Sequence, residues 1–478
     1  MKVVRVTAMA AILVAVGCVS TAPIGIATAG AAATASSTFS IVTNPVLRPT
    51  FTPSVKDYAI RCTQASATNL ITTGTGPVQI GQSIRNGPVN VMLPLIAGQE
   101  VKVTSGGSTY NIRCLPSDFP HYSATVTGTP QATGYFVTIG GYNVMFDTSG
   151  VPVWWFKKLS VDAKFLSPTT VGWADTKHQD FQIRSLDGTL LHTVGGGSVP
   201  LDPHDLQLLP NGNYLAITDA FLNCPTDPTQ CVDLSSWGLS SQAVIYNDSI
   251  VELSPSNNVI WSWSLADHVD VATANVNWRD YFPDVFHMNS IEYDGNGGII
   301  FSARHLDAIY RIDMSTGDIT WKLGGSTTPQ SLTVTGDQYV DAGGQLFSGQ
   351  HDARLEPDGT LTVHDNGSRA NRAPRALQFS IDTSTMTAAE LAQVTDPRAP
   401  TSPYTGSVEH LPGGDWVMSW GGNDFVTELN AQGVPQLTIT YPNFPFTYSY
   451  RDADLDAPIT AIRAGMNAMV APLAGPAG

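Results

Sequence analysis

The sequence contains few charged residues, and basic residues are the scarcer kind. Only 13% of its 478 residues are charged, and 24 Lys and Arg face 40 Asp and Glu, which gives a formal net charge of −16 at pH 7. No run of Lys or Arg interrupts this acidic balance. Because nucleic acids and anionic membrane surfaces bind clustered positive charge, we expect neither as a partner. An anionic substrate would need a local cationic pocket.

Several common catalytic signatures are also missing. The sequence has no P-loop, no dinucleotide-binding glycine fingerprint and no recognisable Ser-His-Asp arrangement. We therefore expect a reaction that needs no nucleotide or other cofactor.

Long apolar runs are absent apart from a short one at the N-terminus. Lys2 and Arg5 precede an apolar run over residues 8–16, which is too short to span a membrane and is followed by alanine-rich sequence. Residues 1–35 are therefore predicted to be a signal peptide. Cys18 lies in a context that resembles a lipoprotein cleavage site, so the mature protein is expected to be secreted or held at the cell envelope. Soluble secretion and lipid anchoring through Cys18 both stay open.

Cysteine is rare, and the four cysteines after the signal peptide form an even set. An exported chain meets an oxidising compartment, where cysteines pair. Of the three possible pairings we expect Cys62 with Cys114 and Cys224 with Cys231, because the first two flank one apparent domain and the last two bracket a short loop. A four-cysteine zinc site would normally show C-x-x-C spacing, which the sequence lacks.

Residues 36–118 are predicted to form a small all-β sandwich. Short alternating runs such as YAIRC, VNVML and EVKVT are separated by turn residues, and helical periodicity is almost absent. The stretch PTFTPSVKDYAI resembles cadherin-like modules of bacterial surface proteins. We expect this module to act as a spacer or as the contact surface of a homodimer.

Residues 119–478 contain a doubled hairpin repeat. In the outer hairpins a turn residue is followed four positions later by an aromatic or apolar residue, and inner hairpins such as YDGNGGIIF precede most of them. Two hairpins make a four-stranded sheet, and about six such units predict a six-bladed β-propeller. The fold class is thus all-β. The outer pairs are Gly150 and Trp154, Gly188 and His192, Asn257 and Trp261, Gly317 and Trp321, and Gly433 and Leu437, with a sixth hairpin near residues 381–386.

Three histidines occupy the same phase of the inner hairpins. His204, His287 and His351 each lie eight residues before a turn glycine. Equivalent positions of a repeat superimpose around the axis, so the three imidazoles are expected at one end of neighbouring blades. Arg304 returns to the level of His287 on the same hairpin, and Asn289 is expected on the same face of the strand.

Such a cluster fits either a metal held by imidazoles or a tetrahedral anion held by histidines and arginine while one histidine attacks it. Arg304 favours the anion, because its guanidinium supplies fixed donors for sulfate, phosphate or carboxylate. We accordingly expect no metal.

The runs HDLQLLPNGNYL, FHMNSIEYD, SARHLDAIYRID, TGDITWKLGG and FSGQHDARLEPDG make the chain similar to the bacterial arylsulfate sulfotransferases over about residues 119–440. The resemblance implies a six-bladed propeller that moves a sulfuryl group from a phenolic sulfate ester to a phenolic acceptor without a nucleotide sulfate donor. A small-molecule aryl sulfate and a phenol would be its partners.

The resemblance also implies roles for single residues. His351 matches the nucleophile, which forms a sulfohistidine intermediate. Arg304 and His287 would stabilise charge on the sulfuryl oxygens, and Asn289 would bind substrate. His204 would protonate the leaving phenolate and later deprotonate the acceptor.

Some alternatives stay open. The family's hydroxyl residue could be Thr405 or Ser407. A metal-dependent lyase or hydrolase with the three in-phase histidines as ligands is the second reading, and a binding propeller without chemistry is the third. The remaining histidines fall out of phase and are expected to be structural or exposed; they include His121, His178, His268, His305, His364 and His410.

Overall fold

The computed structural model describes residues 38–62, 67–274, 276–441 and 457–476. These residues belong to one compact unit, and most of its regular structure is β-strand. The predicted signal peptide, residues 1–35, and Cys18 lie outside the described residues. Within the described ranges, no helix has the length and hydrophobicity needed to cross a bilayer.

The expected all-β N-terminal module is present as two sheets. Both sheets contribute to one hydrophobic core, in which Leu70 of the first sheet and Ile112 of the second are fully buried. The predicted disulfide between Cys62 and Cys114 closes this module. One sheet contains β1 (Ile41–Asn44), β3 (Thr68–Thr72) and β6 (Val89–Leu93); the other contains β2 (Asp57–Arg61), β8 (Ser108–Leu115), β7 (Glu100–Ser105), β4 (Pro77–Ile80) and β5 (Ser83–Asn86).

Six further sheets follow along the described chain and form the blades of the predicted propeller. Blades 2 to 4 have four strands in sequence order, which is the arrangement predicted from two hairpins per unit. The strands are, in blade 1, β10 (Tyr135–Ile139), β11 (Tyr142–Phe146) and β12 (Pro152–Lys157); in blade 2, β13 (Val161–Ser167), β14 (Thr170–Asp175), β15 (Asp180–Ser185) and β16 (Leu190–Gly195); in blade 3, β17 (Leu206–Leu208), β18 (Tyr214–Phe221), β19 (Tyr246–Leu253) and β20 (Val259–Ser264); in blade 4, β21 (Met288–Tyr293), β22 (Gly298–Ala303), β23 (Ala308–Asp313) and β24 (Ile319–Gly324); in blade 5, β26 (His351–Leu355), β27 (Leu361–Asp365), β28 (Arg375–Asp382), β29 (Thr387–Val394) and β25 (Thr333–Thr335); and in blade 6, β30 (Ser407–His410), β31 (Trp416–Ser419), β32 (Phe425–Leu429), β33 (Pro435–Thr440) and β9 (Ser123–Val126).

Hydrophobic clusters lie between successive blades all around the ring. The repeated tryptophans contribute to these contacts, as predicted. Trp154 of blade 1 is fully buried and its indole N–H donates to the Leu186 carbonyl of blade 2. Trp261 donates in the same way to Met314, so each indole joins its own blade to the next one.

The ring is closed by a strand that precedes blade 1 in the sequence. β9 pairs antiparallel with β33, the last strand of blade 6. Glu428 of blade 6 also accepts hydrogen bonds from the Gln131 backbone and the Tyr135 hydroxyl, at the start of blade 1. Blade 6 is therefore built from both ends of the propeller sequence.

Two α-helices occur in the described chain, the single-turn α1 (Gln338–Asp341) and the longer α2 (Ile459–Met469). The buried residues Ile462 and Met466 are four positions apart, so they face the same side of α2. They pack into the cluster that contains blade 1. Arg463 on α2 pairs with Asp57 of the N-terminal module, and α2 thus joins the module to the ring.

The long connections at one end of blade 3 pack against each other. Cys224 and Cys231 form the second predicted disulfide, within the connection between β18 and β19. Trp237 in the same connection donates to the Ala272 carbonyl, and its ring contacts Trp278 at a centroid distance of 6.1 Å. The connection between β18 and β19 therefore packs against the connection between β20 and β21.

Candidate active site

A cavity of about 1110 Å³ opens at one end of the ring, among the connections between blades. His204, His287, His351 and Arg304 all line it, as the repeat phase predicted. The Arg304 N–H donates to the His287 carbonyl at 3.0 Å, so the predicted pairing across that hairpin is also present. A smaller cavity of about 350 Å³ is lined by the inner strands and contains none of these four residues.

His351 is the first residue of β26 and is almost completely buried at the cavity wall. Its Nδ1 lies 2.7 Å from Asn366 Oδ1 and 3.0 Å from the Gly349 carbonyl oxygen. Both partners are oxygen acceptors, so Nδ1 carries the proton and Nε2 keeps its lone pair. Gly349 has a φ of +73°, and a Cβ there would lie 2.5 Å from Ser368 Oγ. A side chain at position 349 would disturb this turn.

The surroundings of His351 keep its ring neutral. Burial lowers its pKa well below the usual value, and the positive charge of Arg304 lowers it further. The hydrogen bond to Asn366 acts in the opposite direction but does not outweigh them. At neutral pH the ring of His351 is therefore neutral, with its proton on Nδ1 and a lone pair on Nε2.

His204 has the opposite character. Its Nδ1 lies 2.7 Å from Asp202 Oδ1, and the Asp202 carboxylate also accepts the His204 backbone N–H. Burial alone would lower the pKa of His204, but the negative charges of Asp202 and Asp248 outweigh it and raise the pKa to about 9. His204 is therefore a cation at neutral pH and can donate a proton.

His287 adopts a left-handed backbone conformation, with a φ of +53°. Its Nδ1 lies 2.7 Å from Asp284 Oδ2, and its ring meets that of His204 with a centroid distance of 4.8 Å. Burial lowers the pKa of His287 despite the contact with Asp284, and the nearby charges of His204 and Arg304 add to this effect. The ring of His287 is therefore neutral despite its hydrogen bond to Asp284.

Arg304 is the fixed cation of the cavity. It begins a short 3-10 helix after β22, and its side chain is buried. Its Nη2 donates to the Pro403 carbonyl at 2.9 Å, and the guanidinium lies 5.1 Å from the centre of the Tyr281 ring. The Nε–H is buried and has no hydrogen-bond acceptor among the described residues. A buried donor without an acceptor is suited to bind an anionic oxygen.

Asn289 and the two candidate hydroxyl residues fall in different places. Asn289 is buried behind the cavity wall, where its amide donates to the Gln350 carbonyl at 2.8 Å. Thr405 lines the cavity, and its Oγ1 is buried with no partner among the described residues. Ser407 lines the smaller cavity instead. The geometry thus favours Thr405 over Ser407 as a site residue.

The cavity wall contains an aromatic stack that was not predicted from the sequence. His305 lies against Tyr281 with ring centroids 3.7 Å apart and against His287 at 4.6 Å. Its Nδ1 contacts the Asp284 carbonyl oxygen at 2.8 Å. Burial lowers the pKa of His305, and the charge of Arg304 contributes. His305 was expected to be structural or exposed, and the cavity wall contains it as a neutral ring.

One group in this wall has the composition of a metal site. Potential ligand atoms of Asp284, His287 and His305 lie within 4.8 Å of one another. This set differs from the three in-phase histidines of the metal-dependent alternative. Nδ1 of both rings already contacts an oxygen of Asp284, so a metal bound at these nitrogens would displace those hydrogen bonds.

The comparisons with known proteins point to one family. A family model described as arylsulfotransferase (ASST) matches residues 200–441. No curated protein matches the chain.

Solved structures that align with the chain include two lyases and a propeller domain. A streptogramin B lyase is 12% identical, with a TM-score of 0.36, over 66% of this chain and 86% of that one. Virginiamycin B lyase from Staphylococcus aureus is 13% identical, with a TM-score of 0.35, over 68% and 89%. The β-propeller domain of Cps50 (Swd1) from Myceliophteria thermophila is 12% identical, with a TM-score of 0.37, over 67% and 89%.

Proposed function

The chain belongs to the arylsulfotransferase family, and from this membership and the cavity chemistry we propose that it transfers a sulfuryl group from an aryl sulfate to a phenol through a sulfohistidine on His351. The observation that carries the proposal is the hydrogen bonding of His351. Its Nδ1–H is held by two oxygen acceptors, which leaves Nε2 as the nitrogen with the lone pair. A neutral, oriented imidazole beside a buried arginine is suited to attack an anionic sulfate ester.

In the first half of the reaction, Nε2 of His351 attacks the sulfur of the donor. The N–S bond forms as the bond between sulfur and the phenolic oxygen breaks, and the electron pair leaves with that oxygen. His204, a cation below a pKa of about 9, gives its proton to the leaving phenolate. The products are a phenol and His351 carrying the sulfuryl group, with its Nδ1–H still bound to Asn366.

The second half reverses these steps with a new phenol. His204, now neutral, takes the proton of the acceptor hydroxyl, and the phenolic oxygen attacks the sulfur. The N–S bond breaks and its electron pair returns to His351. No water, metal or redox partner is consumed, and both histidines regain their starting protonation.

Arg304 is proposed to hold the sulfuryl oxygens during both halves, using the buried Nε–H that has no acceptor among the described residues. His287 is neutral and its Nδ1 is bound to Asp284, so its Nε2 is a hydrogen-bond acceptor. We propose that it packs against the ring of His204 and holds that proton donor in place, a role that does not need a positive charge. Thr405 offers a further hydroxyl at the cavity, whereas Asn289 supports the backbone next to His351.

A trapping experiment tests the sulfohistidine. The purified protein is mixed with a chromogenic aryl sulfate, first without an acceptor and then with added phenol. We expect one sulfuryl group on the peptide that contains His351, followed by its transfer to the phenol. His351→Asn should abolish both donor cleavage and transfer. A label on another residue, or a His351 variant with near wild-type rate, would overturn the assignment.

We also propose that the protein works outside the cytoplasm. Two disulfides are typical of exported proteins. The mass of the mature N-terminal peptide distinguishes the two modes of export. Lipid attachment would leave a modified Cys18 as the first residue, whereas soluble secretion would leave a first residue that carries no lipid.

The N-terminal module offers a surface for a second copy of the chain. Val42 and Ile71 are neighbours on the outer face of the three-stranded sheet, and Met92 is exposed on the same face. The other outward residues of these strands are asparagines, so two acidic chains could meet there without charge repulsion. We propose a homodimer through this face. Light scattering should show a dimer that Ile71→Lys converts to a monomer; a monomeric wild-type protein would contradict it.

A further inference from the structure

The three in-phase histidines of the cavity, His204, His287 and His351, each have a side-chain hydrogen-bond partner at Nδ1, but these partners differ in charge. Each Nδ1 lies 2.7 Å from a side-chain oxygen. His204 and His287 contact the carboxylates of Asp202 and Asp284. His351 contacts an amide, that of Asn366. The proposed nucleophile is thus the only one of these three rings whose side-chain partner has no charge.

The orientation of the Asn366 amide is fixed by its other contacts. Its Nδ2 donates to Ser402 Oγ and to the Thr405 carbonyl, both at 2.8 Å. The Ser402 hydroxyl itself donates to the Gly421 carbonyl at 2.9 Å, so it can only accept from Asn366. A flipped amide would face Nδ2 toward His351 and lose these bonds, and Oδ1 therefore must point at the imidazole.

On the basis of the proposed function, we propose that Asn366 is a positioning residue. Its neutral amide holds His351 in the Nδ1–H tautomer and supplies no negative charge that would favour protonation of the imidazole. An attacking imidazole needs both conditions. The tautomer makes Nε2 the nucleophile, and neutrality keeps its lone pair available at the pH of the reaction. A carboxylate in the same place would meet the first condition and work against the second.

Apart from Asn366, the groups with the largest effect on the pKa of His351 are Arg304, His287 and His204, and none of them is acidic. The charge of Arg304 acts on His351, as do the rings of His287, His204 and His305. Asp365, which is next to Asn366 in the chain, forms salt bridges with Arg372 and Arg375. A negative charge introduced at position 366 would be in hydrogen-bond contact with the ring.

Asn366→Asp tests the charge directly. An opposite charge in hydrogen-bond contact raises the pKa of a histidine, by about 1 to 3 pH units for close pairs. Donor cleavage requires neutral His351, so the acidic limb of kcat/KM should move to higher pH by about that amount. Activity should recover toward the wild-type value above the new limb. An equal loss at every pH would show a merely structural role and would overturn the proposal.

Asp202→Asn is the matched control. It replaces a carboxylate by an amide beside His204, whereas Asn366→Asp replaces an amide by a carboxylate beside His351. The charged groups that act on His204 are Asp202, Asp248 and Asp162, with Asp219 and His287 also near. Losing Asp202 lowers the pKa of His204, so the basic limb should move to lower pH while the acidic limb stays. Movement of the same limb in both variants would contradict the assignment.

A measurement on the wild-type chain keeps the test independent of folding and of activity. The variant carboxylate would have one oxygen facing the Thr405 carbonyl, and this repulsion can destabilise it. Nitrogen chemical shifts of ¹⁵N-histidine-labelled protein, with His351→Asn used to assign the signal, should show His351 as neutral and protonated at Nδ1. The Nε2–H tautomer or a cation at neutral pH would overturn the inference even if sulfuryl transfer is observed. The expected tautomer without any transfer would leave the inference standing and refute the proposed function.

Discussion

The rings of His204 and His287 meet with centroids only 4.8 Å apart, and their pKa values are shifted in opposite directions. Both are partly buried and both are bound to a carboxylate. His204 faces the additional charge of Asp248, whereas His287 is next to Arg304 and to the cationic His204 itself. The pair therefore separates into a proton donor and a neutral ring, which is how neighbouring groups acquire different catalytic roles.

His204→Gln should slow donor cleavage by about 10²-fold, because a proton donor to the leaving oxygen is lost. The loss should be larger for phenyl sulfate than for 4-nitrophenyl sulfate, since nitrophenolate leaves without protonation. The measurement is kcat/KM for both donors. His192→Gln, in the outer strand of blade 2, is the control and should behave as wild type. Equal losses for the two donors would argue against His204 as the acid.

The pH dependence of the wild-type enzyme should have a basic limb near pH 9. His204 must be protonated to act as the acid, and its pKa is raised to about 9, so kcat/KM for a donor with a poor leaving group should fall as the pH rises through that value. Initial rates over a range of buffers measure this. A limb near pH 6.5, the ordinary value for histidine, would mean that the carboxylates do not stabilise the cation.

Activity should survive chelators. Arg304 is a fixed cation in the wall, and its charge disfavours a metal ion close by. Dialysis against EDTA followed by metal analysis and assay tests this, with wild-type activity expected in metal-free protein. Stoichiometric zinc, iron or copper whose removal abolishes activity would favour the metal-dependent alternative, with Asp284, His287 and His305 as the first ligands to examine.

Leu159 should influence the choice of phenol. It lines the cavity, yet 79% of its surface is exposed. Complete burial of a leucine is worth about 1.5 to 3 kcal/mol, and partial cover by a two-ring acceptor corresponds to roughly a fivefold change in KM. Leu159→Ser should raise KM for a naphthol by that factor and leave phenol unaffected. Leu191→Ser, at an exposed leucine outside the cavity, is the control. An identical effect on both acceptors would contradict this role.

The two disulfides should contribute unequally to stability. Cys62 and Cys114 are 52 residues apart and Cys224 and Cys231 only 7. Chain-entropy arguments give about 4 kcal/mol for the first and about 2 kcal/mol for the second. Urea unfolding of the two Cys→Ser double variants measures the difference. The denatured, unreduced protein should show no free thiol unless Cys18 is retained, and four reactive thiols would contradict the pairing.

The repeated blades could be predicted because their hairpins have turn residues and alternating patterns that are visible in the local sequence. Turn glycines with positive φ, such as Gly150 and Gly317, mark four of the six outer hairpins in the sequence, and Asn257 takes the same place in a fifth. β9 carries no such signal. Its four residues are mostly exposed, so it has no alternating pattern, and only its pairing with β33 defines it as a strand.

The site was predictable where it follows the repeat and not elsewhere. His204, His287 and His351 occupy equivalent hairpin positions, Arg304 is paired with His287 across one of these hairpins, and all four line the cavity as expected. Asn289 does not line the cavity with His287, and a register shift between Met288 and Ser290 interrupts the period of two in β21.

The missed residues lie outside any strand. His305 belongs to a 3-10 helix after β22. Tyr281 and Asp284 belong to the long connection between β20 and β21, which has no phase in the repeat. Their positions depend on the packing of Trp237 and Trp278, a long-range contact that sequence periodicity does not encode.

Because β9 and β33 close the ring, the segment that matches the family model is shorter than the segment needed to fold the propeller. The family match begins at residue 200, after β16, so it contains blades 3 to 6 without the first two or the closing strand. A fragment with those limits would expose the cluster between blades 2 and 3, and β33 would become a bare edge open to pairing with other chains. During synthesis the same topology delays completion, since β9 emerges early and must wait for nearly all of the propeller before its partner exists.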